Sequence, residues 1–284
     1  MKRVIFLVID SLGIGYAQDA GKYGDVGANT FGHIAEHFYD KRNPAGLNIP
    51  NLQSLGLCDA YNISCNEFPA GLAQTENIIG AYGSAKELST GKDTTSGHWE
   101  MTGVPVFNDW GYFKNRTSSL PVELVDELIK QANLPGILGN KHASGTDIIK
   151  EYGAEHIRTG KPIVYTSADS VVQIACHEEY FGLDRLIEIC QIARALVDSY
   201  NIARVIARPF LGESADTFQR TINRKDLSVP PLGPTLFDSL VVNKGAVIGI
   251  GKIPDIFCHQ GITESVKASS TDGLMDATIK ALAT

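Results

Sequence analysis

The chain is short of basic charge: 25 Lys and Arg stand against 32 Asp and Glu in 284 residues, a formal net charge of -7. That balance excludes general polyanion binding, so neither DNA nor RNA is expected as a partner, and phosphate must be met locally by a few arginines or by metal. Long hydrophobic runs are also missing. None approaches the roughly 20 residues that cross a bilayer, and the apolar start at residues 4–10 is closed by Asp10 too early for a secretory leader. No membrane partner is expected. Cysteine is sparse: Cys58, Cys65, Cys176, Cys190 and Cys258 are odd in number and lack any C-x-x-C spacing. This argues against a structural zinc site and fits reduced thiols in the cytoplasm. Internal repeats and low-complexity tracts are absent too.

What is present is ordinary globular material, 43% hydrophobic and 20% charged, in an α/β pattern. The unbroken apolar run at 4–10 predicts a strand covered on both faces, with Asp10 at its carboxyl end. Asn29-Thr30 predicts a helix cap ahead of 30–37, and 50–56 a short helix ending at Gly56. Helices are predicted at 122–132, at 147–152 with Gly153 as the stop, and at 183–197. Strands are predicted at 162–166 and at 203–207, the latter closed by Pro209, giving a right-handed β–α–β unit. Pro230, Pro231 and Pro234 mark a linker. A helix at 235–242, a strand at 246–250 and a helix at 275–283 follow. The order suggests an outer unit made of 1–104 and 229–284, with 105–228 inserted.

Three groups of residues carry chemistry. Asp10 lies where open α/β sheets bind ligands, at a strand's carboxyl end; the plain alternative is a turn or helix-cap residue. Lys92-Asp93-Thr94-Thr95-Ser96-Gly97 offers consecutive hydroxyls on a glycine-flanked turn, which by itself also suits a solvated turn. Arg204 and Arg208 flank a strand four apart, so they share a face, and Arg220 and Arg224 follow; converging guanidinium groups make an anion clamp, separate ones mere surface charge. His33-Ile34-Ala35-Glu36-His37 matches H-x-x-E-H, a zinc-peptidase pattern that also fits the polar face of a surface helix. The peptidase reading is kept as the rival enzyme class.

Several longer stretches resemble prokaryotic phosphopentomutases. They are Asp10-Ser11-Leu12-Gly13-Ile14-Gly15, Gly32-His33-Ile34-Ala35-Glu36, Gly91-Lys92-Asp93-Thr94-Thr95-Ser96-Gly97-His98-Trp99-Glu100 and Tyr165-Thr166-Ser167-Ala168-Asp169-Ser170-Val171. Arg204-Val205-Ile206-Ala207-Arg208-Pro209-Phe210, Arg220-Thr221-Ile222-Asn223-Arg224 and Gly251-Lys252-Ile253-Pro254-Asp255-Ile256 belong to the same set. The resemblance implies an alkaline-phosphatase-like core, a parallel-rich sheet with helices on both faces, and an inserted α/β cap. It implies interconversion of ribose or deoxyribose 1-phosphate and 5-phosphate with two divalent cations, usually Mn2+, with Mg2+ or another cation possible. It assigns Thr94 as the phosphorylated hydroxyl and Asp10 and Thr94 as metal ligands. Ser167, Asp169, Val171, Arg204, Ile206 and Arg208, joined by Arg220 and Arg224, would face the pentose phosphate. It gives the two histidines of H-x-x-E-H no metal role.

The resemblance also implies further metal ligands: an Asp-x-x-x-x-His segment, an Asp-His pair and a last histidine. No Asp-His dipeptide occurs in these 284 residues, and His259 matches none of those motifs. A hard divalent ion wants about six ligands, so the chain on its own is expected to be an incomplete, inactive mutase. A non-enzymatic sugar-phosphate-binding remnant is the runner-up. Without added strands beside it, the segment 4–10 is expected to keep exposed edges and an uncovered apolar face.

Overall fold

The computed structural model describes residues 2–41, 46–268 and 270–283. The chain divides into two compact units, Met1–Glu87 and Leu88–Thr284.

The first unit is helical. Its helices are α1 (Thr30–Lys41), α2 (Pro50–Ser54) and α3 (Leu57–Cys65). Asn29 anchors the start of α1: its Oδ1 accepts from the Gly32 N–H at 3.2 Å, and its Nδ2 donates to Tyr61 Oη at 2.7 Å. Gly56 turns α2 into α3 with φ +95, a backbone state that favours glycine. Phe31, Ala35, Cys58 and Tyr61 are buried between α1 and α3, with the Phe31 and Tyr61 rings edge to face at 5.7 Å.

Residues 4–10 depart from expectation. They form no strand, and Val4 is 93% exposed. A strand exists through a neighbour that takes its N–H and C=O groups, and no strand among the described residues pairs with this segment. The side chains are uncovered, as expected for a segment without neighbours, but Asp10 lies in an exposed turn rather than at a strand end.

The second unit starts with α4 (Thr94–Met101) and α5 (Val122–Gln131), then β1 (Leu138–His142) and α6 (Gly145–Thr159). The core continues with β2 (Ile163–Thr166), β3 (Val171–His177), α7 (Leu183–Val197), β4 (Arg204–Leu211), β5 (Gln219–Arg220) and β6 (Lys225–Ser228). Then come α8 (Leu236–Val242), β7 (Ile248–Ile250), α9 (Ile253–Ile256), β8 (Glu264–Val266) and α10 (Thr271–Ala283). The main sheet runs β1-β2-β3-β4-β5, with β6 also on β4, and β7 pairs with β8 in parallel. The main sheet is mixed: β1·β2 and β3·β4 are parallel, β2·β3, β4·β5 and β4·β6 antiparallel. No helix among the described residues is long and apolar enough to cross a membrane.

Strand alternation sorts the side chains. Val164, Val172, Ile174, Val205 and Ala207 pack with Leu124 and Leu128 of α5 and Leu186, Ile189 and Cys190 of α7. Ile163, Tyr165, Ala175 and Phe210 pack with Ile148 and Ile149 of α6. The same face carries Val171, Gln173, Arg204, Ile206 and Arg208.

Three local expectations are corrected here. The β–α–β unit contains an extra strand, β3, so α7 links β3 to β4 while β2 runs antiparallel to β3. The helix predicted to stop at Gly153 runs on to Thr159, capped by Ser144 at its start and by Gly160 at φ +68 at its end. Gly153 has a packing reason instead: a Cβ there would lie 2.4 Å from the Phe218 ring. Strand β4 continues through Pro209, because that residue sits where β4 changes partner. Ala207 still pairs with Lys225 of β6, and Phe210 already pairs with Arg220 of β5, so one missing N–H disturbs the ladder least there.

His156 in α6 is buried and neutral. Its Nε2 accepts from the His177 N–H at 2.9 Å, and its Nδ1 faces the Lys161 carbonyl at 2.7 Å. Burial pushes its pKa below the usual 6.5 against the pull of that carbonyl, and His177 adds to the depression. The unfolded chain therefore binds a proton that the folded chain refuses. Stability should be complete above about pH 6.5 and fall as pH drops through that value toward the depressed one, with a slope of at most about 1.4 kcal/mol per pH unit for this proton. Urea unfolding across that range should show the fall, and His156→Gln should flatten it.

Candidate functional site

The hydroxyl-bearing segment is the start of a helix rather than a turn. Asp93 caps α4, its Oδ1 accepting from the Thr95 N–H at 2.7 Å. Glu100 at the far end of α4 reaches back and accepts from the Leu88 and Ser89 N–H groups at 2.6 and 2.7 Å. Burial would raise its pKa, but bonds from the Ser89 side chain and the two backbone amides outweigh that and hold it below the ordinary carboxylate value. Trp99 is fully buried and donates through Nε1 to the Ile256 carbonyl at 3.2 Å; Trp110 donates to Ser96 Oγ at 2.6 Å. The approach of Trp110 requires glycine at Gly91, where a Cβ would lie 2.4 Å from the indole. Of the three consecutive hydroxyl residues, Thr95 and Ser96 are fully buried and Thr94 is half-buried at the helix start.

Asp93 links this helix start to the sheet. Its Oδ2 lies 3.3 Å from Arg204 Nη2, with side-chain exposures of 0% and 4%. Arg204 also reaches Asp226 Oδ2 at 3.1 Å and Asp169 Oδ2 at 3.6 Å. Asp226 in turn is gripped by Arg224 through Nε at 2.6 Å and Nη2 at 2.7 Å. Burial works against the Asp226 carboxylate, yet the Arg224 and Arg204 guanidiniums hold its pKa below the usual range. The Asp226 N–H donates to Asp255 Oδ2 at 3.1 Å, which ties the residues around α9 to the same cluster.

Two residue pairs further along β4, Arg208 donates from Nε to Gln173 Oε1 at 3.0 Å. Burial, then the neighbouring Arg224 charge, pushes its pKa below the ordinary arginine value. Ile206 lies between the two arginines and is buried. Ser167 and Asp169 occupy the loop between β2 and β3, and Val171 opens β3 opposite Arg204. Arg220 is exposed on β5.

The structure thus brings Asp169, Val171, Arg204, Ile206, Arg208 and Arg224 to one face of the sheet, with Asp93 and Thr94 at its Arg204 end. Asp10 belongs to the first unit. Asp93, Gln173 and Asp226 were not singled out by sequence. Asp93 stood inside the recognised stretch, but Gln173 and Asp226 give no signal beyond a polar residue inside a strand.

Among the described residues, no three His, Cys, Asp or Glu side chains come together as a metal site. Asp10 and Thr94 alone do not fit a pair of octahedral cations. His33 and His37 are exposed on α1 without a third ligand, so the zinc-peptidase alternative has no structural support. A depression of about 240 Å3 in the first unit, floored by Leu12, Ile14 and Ala60, has no charged lining.

No family model matches the chain. Curated relatives do. A protein of Yersinia enterocolitica is 57% identical over 287 residues, spanning 99% of this chain and 70% of the relative. One of Photorhabdus laumondii is 58% identical over 286 residues, 98% of this chain and 70% of the relative. One of Proteus mirabilis is 58% identical over 288 residues, 99% and 71%. Each bears the name Phosphopentomutase, which leaves the non-enzymatic alternative without support. Identity above half over 98–99% of this chain and 70–71% of each relative shows that this chain belongs to the phosphopentomutase family.

Proposed function

We propose that the chain is built to interconvert pentose 1-phosphate and 5-phosphate, ribose or deoxyribose, by passing one phosphoryl group through Thr94, and that, with its set of metal ligands incomplete, the 284-residue chain alone is inactive. Phospho-Thr94 gives its phosphoryl group to the free hydroxyl of a sugar monophosphate. The bond from Thr94 Oγ1 to phosphorus breaks, the sugar oxygen takes the phosphorus while its proton passes to Thr94 Oγ1, and a sugar bisphosphate forms. The bisphosphate then presents its other phosphate to Thr94 Oγ1. The Thr94 oxygen takes that phosphoryl group, its proton passes to the departing sugar oxygen, and the isomer leaves.

The observation that carries this reading is the placement of Thr94. It is the reachable hydroxyl of three, it opens a helix whose first amides favour a phosphate, and its neighbour Asp93 touches Arg204. The arginine face would hold the sugar's charge while Ser167, Asp169, Val171 and Ile206 shape the space for the ring. Residues 105–228 are read as a cap set into an alkaline-phosphatase-like core of 1–104 and 229–284; in support, all strands of the main sheet fall within that insert. A cytoplasmic setting suits a substrate of this kind and the free cysteines.

The family resemblance names divalent cations, Mn2+ or Mg2+, with Asp10 and Thr94 among their ligands. The described residues do not complete that set. The test is conversion of ribose 1-phosphate before and after Thr94→Val.

A further inference from the structure

The turn at 221–224 joins β5 to β6, with Arg220 on the strand before it and Arg224 at its end. Its one apolar residue, Ile222, is 70% exposed, so burial does not anchor it. Polar contacts do. The Thr221 N–H donates to the Pro209 carbonyl at 3.0 Å. Glu178 Oε1, from outside the turn, accepts from the Thr221 hydroxyl and from Asn223 Nδ2, the latter at 3.0 Å. The Asn223 N–H donates to the same hydroxyl at 3.2 Å. One carboxylate oxygen therefore closes the turn between the two arginines.

Glu178 is itself held in place. It follows β3 directly and opens a single π-helical turn, Glu178–Gly182, ahead of α7. Such turns are rare and recur at functional sites. The buried His177 side chain braces this one. Its Nδ1 accepts from the Glu179 and Tyr180 N–H groups at 3.2 and 3.4 Å, and its Nε2 donates to the Gly212 carbonyl at 2.9 Å. The Phe210 ring meets the imidazole edge to face at 5.4 Å. One ring thus ties the end of β3, the π turn and the end of β4, and Glu178 is the next residue along.

The turn needs such a tether. Arg220 stands opposite Phe210 in the ladder and so shares the face of Arg208. Burial first, then the Arg224 charge and more weakly that of Arg220, depress the Arg208 pKa, with Asp226 offsetting part of it. Three guanidiniums gathered this way repel one another. The geometry points to Glu178 as a positioning residue for the mutase reaction: by holding Thr221 and Asn223 it keeps Arg220 and Arg224 beside Arg208 against that repulsion. It rests on the sugar-phosphate reading above. Glu178 meets no substrate; its effect passes through the turn. An arginine face formed in advance spares the ordering that binding would otherwise require.

Glu178→Ala and Glu178→Gln test this in two measurements. Hydrogen exchange on the 284-residue chain reads the turn itself. The Thr221 and Asn223 amides should exchange at least about tenfold faster in Glu178→Ala. Glu178→Gln should stay close to wild type, because its side-chain carbonyl still accepts from both donors. Turnover of ribose 5-phosphate with Mn2+, in a chimera that adds the unmatched part of the Yersinia enterocolitica relative, reads the consequence. In Glu178→Ala, KM should rise on the order of tenfold with kcat within about threefold, the mark of lost binding rather than lost chemistry. Glu178→Gln should restore KM. Melting temperatures should stay within about two degrees of wild type, so general loosening does not explain the split. Unchanged exchange in Glu178→Ala, or faster exchange with a wild-type KM, overturns the proposal. A wild-type chimera without turnover sinks the sugar-phosphate reading instead, and the exchange result still decides whether Glu178 holds the turn.

Discussion

Thr94→Val should lower pentose phosphate interconversion by about a thousandfold or more, as expected when the group that forms the covalent intermediate is removed. Valine keeps the shape of threonine and removes only the hydroxyl. Thr94 is half-buried at the start of α4, and the cap is built from the Asp93 side chain and the Thr95 amide, so the helix should survive. The melting temperature should therefore stay within a degree or two of wild type while turnover vanishes. The assay is best run twice: on the 284-residue chain with added Mn2+, and on a chimera carrying the remaining part of the Yersinia enterocolitica relative, which supplies any ligands these residues lack. Thr95→Val and Ser96→Ala serve as controls. Both side chains are fully buried, so these changes should alter stability and leave the chemistry in place.

Arg204→Met should be the most destabilising change at the site. The guanidinium is 4% exposed and faces the carboxylates of Asp93 and Asp226, themselves 0% and 3% exposed. Removing one partner of a buried charge cluster costs about 3–5 kcal/mol because the others stay buried and unanswered. The lower end is expected here, since Arg224 still grips Asp226 and the Thr95 amide still bonds Asp93. Urea unfolding should show the loss. Asp93→Asn in the Arg204→Met background should recover part of it by removing one stranded charge. Arg204→Lys should rescue incompletely, because an ammonium is a single point charge and cannot fork between two carboxylates. Ribose 5-phosphate binding should fall in step. A change below about 0.5 kcal/mol, the size seen at exposed pairs, would mean that the cluster does not organise this face.

The helices with a clear apolar stripe, α5 and α7, were readable to within a residue because burial of one face dictates their period. Arg204 and Arg208 were readable as sharing a face because strand alternation is rigid. What failed had a different cause in each case. Residues 4–10 have the composition of a buried strand, but a strand is made by its neighbours, and composition does not say whether they are present. Strand β3 is buried along its whole length, yet Gln173 and His177 interrupt its apolar run, which hid it. Gly153 looked like a helix stop because glycine usually is one; the ring of Phe218, distant in sequence, is what demands it. The Thr94 stretch was legible through its long specific pattern, whereas the bond from Arg204 to Asp93 spans 111 positions and nothing local announces it. Asp226 matters through the Arg204 and Arg224 guanidiniums that surround it, which only the fold reveals.

The most direct test is to incubate the purified chimera with Mn2+ and ribose 1,5-bisphosphate, digest it and map phosphorylated peptides by mass spectrometry. The account predicts one acid-stable phosphothreonine, at Thr94, that disappears on adding ribose 5-phosphate in excess and is absent from Thr94→Val. A phosphoryl group found on Thr95, Ser96 or another residue, with Thr94 bare, would contradict it.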